Sequence, residues 1–135
     1  MKALHPSKRK TSLNKGLIAS MALFVSHTTI AQPFYQVEGN SVDKATLNGW
    51  NIYRKEACGS CHGANGEGNV SNPNLNDSFK ALTKERFRQV LLEGRGIMYS
   101  FAGNKTVVDG IDDLYAYLKG RSDGAIPPGD LTELK

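Results

Sequence analysis

Cys58-Gly59-Ser60-Cys61-His62 is the stretch on which the reading of this chain turns. Two thiols three positions apart can form thioethers to the two vinyl groups on one edge of a haem. A histidine directly after the second thiol is then carried onto a face of the ring, where its imidazole can bind iron. Gly59 and Ser60 are small and let the backbone lie close to that ring. Three other readings of the two cysteines exist. A thioredoxin-type redox pair wants a βαβ context, which the sequence lacks. A zinc site would need more ligands than two cysteines and His62 supply. A plain structural disulfide in an exported protein is the third. Covalent haem accounts for all three side chains.

Outward from the motif, the first 31 residues read as a secretory signal. Lys2, Lys8, Arg9, Lys10 and Lys15 form a basic start with no acid among them, and Leu17 to Val25 is a short apolar run. The competing reading is an uncleaved membrane anchor, but the run falls short of the roughly 20 residues a membrane-spanning helix needs. Thr29-Ile30-Ala31 offers small residues at the positions a signal peptidase reads, so cleavage after Ala31 is expected, with the mature domain at 32–135 and a periplasmic destination. No adjacent Arg-Arg pair precedes the apolar run, which favours general secretion. The whole chain holds 17 Lys and Arg against 13 Asp and Glu, which on its own would suit a nucleic-acid partner. Five of the basic residues fall in the signal and none of the acids do, so residues 32–135 carry a net charge near −1. Nucleic acid is excluded on that ground.

The mature stretch is long enough for one domain with a modest core. Residues 32–40 have no clear period and read as an extended arm. A first helix is expected over 42–56, capped by Ser41, with Val42, Ala45, Gly49, Ile52 and Tyr53 on one face. Gly49 in mid-helix costs about 1 kcal/mol against alanine, which points to close approach of another helix. Trp50 lies off that stripe, either covering a cofactor or half exposed. Residues 63–76 are a loop by composition, a short helical turn follows near 78–82, and a helix starts at Thr83, carries Phe87, Val90 and Leu91 on one face, and stops at Gly94. A second loop, 94–103, leads to a last helix starting near Asp109 with Ile111, Leu114, Tyr115 and Leu118 at helical spacing. Residues 125–135 read as a surface tail, and no segment reads as a strand. The expected fold class is all-α, three to four helices with long loops.

The ligand inventory is short. His62 is the sole histidine and Met98 the sole methionine of 32–135. His/Met ligation is the electron-transfer arrangement, and Met98 sits in a glycine-flanked loop well after the motif. The competing reading of Met98 is a gap-filling side chain. Arg95 is either a propionate partner or a solvated arginine. No nucleophile–base pair or carboxylate pair stands out.

The order helix, Cys-x-x-Cys-His-Gly, loop, helix, Gly-Arg-Gly-x-Met, last helix resembles the class I monohaem cytochromes c across essentially the whole of 32–135. The resemblance implies a cytochrome c fold wrapped around one covalent haem c, with Cys58 and Cys61 as thioether sites and His62 and Met98 as axial ligands. It further implies that the Pro73 carbonyl orients the histidine, and that Gly49 and Tyr53 cross Tyr117 and Leu118. One departure is visible: Tyr99 stands where the family usually has proline, which would leave the methionine loop less restrained. The C-terminal half, Ser100-Phe101-Ala102-Gly103-Asn104-Lys105 onward, is similar to periplasmic cytochromes that accept electrons from PQQ-dependent alcohol dehydrogenases. That resemblance implies a monomeric periplasmic electron carrier rather than an enzyme, with such a dehydrogenase as donor and a terminal oxidase or another cytochrome as acceptor. The alternative is a haem c protein with a labile methionine, acting as a weak peroxidase or sensor.

Overall fold

Helix α1, Lys44–Lys55, and helix α6, Ile111–Ser122, cross at Gly49 and form the frame of the fold in this computed structural model, which describes residues 33–135. The signal read over 1–31 lies outside the described residues. A Cβ at Gly49 would stand 2.0 Å from the Asp113 carbonyl oxygen, so only glycine permits this crossing. The helix-breaking cost inferred from sequence thus has a packing reason. Further along the crossing Tyr53 meets Tyr117, ring centroids 5.6 Å apart. The expected pairing is therefore half met: Tyr53 faces Tyr117, while Gly49 faces Asp113 and Leu114.

The caps correct the sequence reading at two helices. Asp43, not Ser41, caps α1: its carboxylate accepts from the Thr46 amide at 3.0 Å, the Thr46 hydroxyl at 2.7 Å and the Gln36 amide at 2.7 Å. The buried face consequently runs through Thr46, Gly49, Ile52 and Tyr53, and Ala45 is exposed. At the other end of the chain, Asp109 caps nothing. It closes a separate short helix α5, Lys105–Asp109, whose cap is Asn104, and Gly110 begins α6 without a side-chain cap. Helix α4, Lys84–Glu93, starts at its Thr83 cap and ends at Gly94, whose φ of +78° only glycine adopts freely, as the sequence implied. Two single turns complete the helices: α2, Gly59–His62, and α3, Leu75–Ser78, the latter starting before the expected 78–82.

The described residues form six helices, which confirms the all-α class. The count exceeds the expected three to four because α2, α3 and α5 are one-turn pieces beside the three longer helices. There is one addition. Strands β1, Val37–Glu38, and β2, Ser41–Val42, pair antiparallel, and β2 pairs parallel with β3, Thr132–Glu133. The C-terminal segment is thus no loose surface tail. Ile126 is fully buried against Gly120, and Leu131 is buried as well. Two-residue strands carry no period-2 pattern, which is why sequence alone misses them. The core gathers Ile52, Tyr53, Phe79, Phe87, Leu114 and Tyr117 around α6, whose residues Leu114 to Leu118 are all buried because neighbours cover it on several sides.

Candidate haem site

At the end of α1 the chain reverses through Ala57, the one non-glycine residue with positive φ (+57°) among those described, and enters α2 at Cys58. The Cys58 amide donates to the Tyr53 carbonyl at 3.2 Å, tying the motif to the α1–α6 frame. Cys58 is half-buried against the core, whereas Cys61 is exposed, and the two form no disulfide. Burial pushes the Cys58 thiol up to about 11. The Tyr53 hydroxyl donates to the Gly63 carbonyl at 2.6 Å, just past the motif, and burial raises its pKa and keeps it a donor.

His62 Nδ1 donates to the Pro73 carbonyl at 3.1 Å, which commits that nitrogen and leaves Nε2 as the one that can face a metal. The loop between them is bound back onto the motif. The Gly68 amide donates to the His62 carbonyl at 2.6 Å, and Asn69 Nδ2 donates to the Cys61 carbonyl at 2.9 Å. The Asn65 amide donates to the Glu67 carboxylate at 2.7 Å; amide donors of this kind, led by Glu67's own backbone, hold its carboxyl below the usual range. From α6, Arg121 Nε reaches the Asn65 carbonyl at 3.3 Å, and its guanidinium also bonds the Ile126 carbonyl.

Met98 lies on the other loop, half-buried against the core. Arg95 and Met98 exchange backbone hydrogen bonds at 2.9 and 3.0 Å around Gly96, which has φ +61°. The Ser100 hydroxyl donates to the Leu92 carbonyl at 2.5 Å, and the Phe101 amide to Leu91 at 2.8 Å. The Tyr99 ring packs on buried Phe101 with centroids 4.6 Å apart. These bonds tie the segment on both sides of Tyr99, the residue that stands in place of a proline, back to α4 and to the Arg95 turn. Arg95 is exposed and in no ion pair with a described residue. Trp50 is half-buried, with the Arg54 guanidinium 4.6 Å above its ring and Arg54 itself 3.3 Å from Asp130.

The residues fit a covalently held haem. Two cysteines form no disulfide, an imidazole presents only Nε2, and a thioether sulfur is available on a pinned loop. Val70 on the first loop and Ile97 on the second are exposed apolar side chains, 84% at Ile97. Asn69, Gly68 and Arg121 were not singled out from the sequence. Their partners are carbonyl groups, which leave no residue pattern to read.

This combination of fold and motif defines a class, the c-type cytochromes. The family model described as "Cytochrome C oxidase, cbb3-type, subunit III" matches residues 44–118, a stretch that holds both the motif and Met98. The chain is 46% identical over 123 residues to cytochrome c-555 of Methylococcus capsulatus, covering 91% of this chain and 94% of that protein. It is 36% identical over 106 residues to cytochrome c-553I of Paracoccus denitrificans, of which it spans 46%. The crystal structure of the c-type cytochrome XoxG from Methylobacterium extorquens AM1 superposes with a TM-score of 0.68 at 36% identity, over 73% of this chain and 65% of that one. The chain belongs to the class I monohaem cytochromes c. It carries covalently bound haem c, and its work is electron transfer. No helix among the described residues is long and apolar enough to cross a membrane.

Proposed function

We propose that the protein is a periplasmic electron carrier whose haem is attached through Cys58 and Cys61 and ligated by His62 and Met98. The mature domain is 32–135, released from the signal 1–31 by cleavage after Ala31. The observation that carries this reading is the His62 Nδ1–Pro73 carbonyl bond, because a histidine so held offers Nε2 and nothing else to a metal. The hydrogen bonds that pin the Met98 loop favour a filled sixth position, hence a carrier over an open-site peroxidase or sensor. The donor is a PQQ-dependent alcohol dehydrogenase, and the acceptor a terminal oxidase or another cytochrome. Support for the donor comes from the C-terminal sequence resemblance. The protein acts as a monomer, and its encounters with redox partners use small interfaces that release quickly.

Intact mass and haem staining after denaturing electrophoresis test attachment; a chain at apo mass from a host that matures cytochromes c would refute it. Stopped-flow reduction by a PQQ alcohol dehydrogenase plus alcohol tests the donor. Fast reduction that depends on the alcohol is the expected result, and a rate no higher than that of an unrelated class I cytochrome would remove the donor assignment.

A further inference from the structure

We propose that Asn69 is a positioning residue for the His62 imidazole, acting through the turn that presents the Pro73 carbonyl. The inference rests on His62 as the iron ligand. The Asn69 carboxamide is bound at both ends. Its Nδ2 donates to the Cys61 carbonyl at 2.9 Å, and its Oδ1 accepts from the amides of Ser71 at 2.9 Å and Asn72 at 3.0 Å, and from Asn72 Nδ2 at 3.2 Å. The backbones of Asn69 and Asn72 close the same turn, at 3.1 and 3.3 Å. Pro73 comes next, and its carbonyl is the one that meets His62.

The geometry explains why one asparagine holds so much. Pro73 has no N–H to donate, so the amide donors nearest before it, those of Ser71 and Asn72, hold the turn, and both go to the Asn69 side chain. A short planar side chain with an acceptor and a donor is required, because the same group must take two amides and give to the Cys61 carbonyl. Aspartate can only accept, serine is too short, and glutamine adds a methylene. Gly68 completes the clamp from the other side. Its φ is +70°, its amide holds the His62 carbonyl, and a Cβ there would come within 2.7 Å of the Pro73 carbonyl carbon. The segment after His62 is therefore tied back at the Cys61 carbonyl, the His62 carbonyl and His62 Nδ1. Asn69 supplies the first tie and shapes the turn that makes the third.

A carbonyl held at Nδ1 makes the imidazole a stronger donor at Nε2, and a stronger donor favours oxidised iron and lowers the reduction potential. Releasing the turn weakens that bond and moves the potential up. The test uses purified holo protein carrying Asn69→Ala, with the midpoint potential and the exchange of the His62 Nδ1 proton, read by NMR in the reduced state, as outputs. A higher potential and faster exchange, with the low-spin spectrum retained, are expected. Parental values for both would overturn the proposal. Ile111→Val, which trims a buried side chain at the start of α6, is the control for a merely structural effect and leaves both readings unchanged. Should Asn69→Ala not accumulate as holo protein, Asn69→Asp keeps the acceptor for two amides and loses the donor to Cys61. Faster Nδ1 exchange is expected there too, and unchanged exchange overturns the proposal. Failure of the underlying reading shows differently: His62→Gln that keeps the parental low-spin spectrum removes His62 as ligand, and this inference with it.

Discussion

The Asp113 carbonyl oxygen occupies the space a side chain at Gly49 would need, 2.0 Å from where a Cβ would stand. Gly49→Ala gains about 1 kcal/mol of helix propensity. It also forces backbone apart at the crossing on which the core is built, an overpacking cost of about 1–3 kcal/mol or more. Because the obstructing atom is backbone and cannot rotate away, the clash wins. Denaturant unfolding of the holo protein should give a lower midpoint for Gly49→Ala; a raised midpoint would show that the helices separate freely.

Met98→Ala tests the proposed axial ligand. Loss of a thioether donor lowers the reduction potential and opens a coordination position, so the spectrum should turn toward high spin and respond to added small ligands. A spectrum identical to the parent would take Met98 off the ligand list.

Acid stability should depend on Asp43. Burial raises its pKa, but hydrogen bonds from Thr46, Gln36 and Ala45 outweigh burial and hold it below the ordinary carboxylate value. A pKa depressed on folding contributes stability that is fully present above about pH 4 and is lost as pH falls through the folded value. Asp123, held down by Lys119 and Tyr35 against burial, adds to the same slope. Asp43→Ala should therefore cost about 1 kcal/mol at neutral pH and flatten the decline below pH 4, measured as unfolding free energy against pH. An acid limb as steep as the parent's would exclude Asp43 as a contributor.

Ile126 is fully buried in what reads from sequence as a surface tail. Truncation to alanine should cost about 2–5 kcal/mol, the range for emptying an aliphatic core position. A change below about 0.5 kcal/mol, typical of surface sites, would mean that the segment contributes nothing to the core.

What the sequence determined by itself is chemistry confined to short distances along the chain. The spacing of Cys58, Cys61 and His62, the glycine stop at Gly94, the Thr83 cap and the helical face of Phe87 and Leu91 all depend on neighbours within a turn, so they are written in adjacent residues. The scarcity of ligands, with His62 and Met98 alone of their kinds in 32–135, is likewise a matter of counting. Tertiary structure decided what depends on backbone from elsewhere in the chain. The partner of Gly49 is a carbonyl 64 positions away, and β2 finds β3 some 90 residues later through two-residue pairings. The Met98 loop owes its restraint to Ser100 and Phe101 reaching back to α4 carbonyls rather than to a proline. The turn that holds Pro73 against His62 depends on Asn69 finding a carbonyl eight residues earlier. Carbonyl oxygens look the same at every residue, and only the folded path of the chain selects which of them a side chain meets.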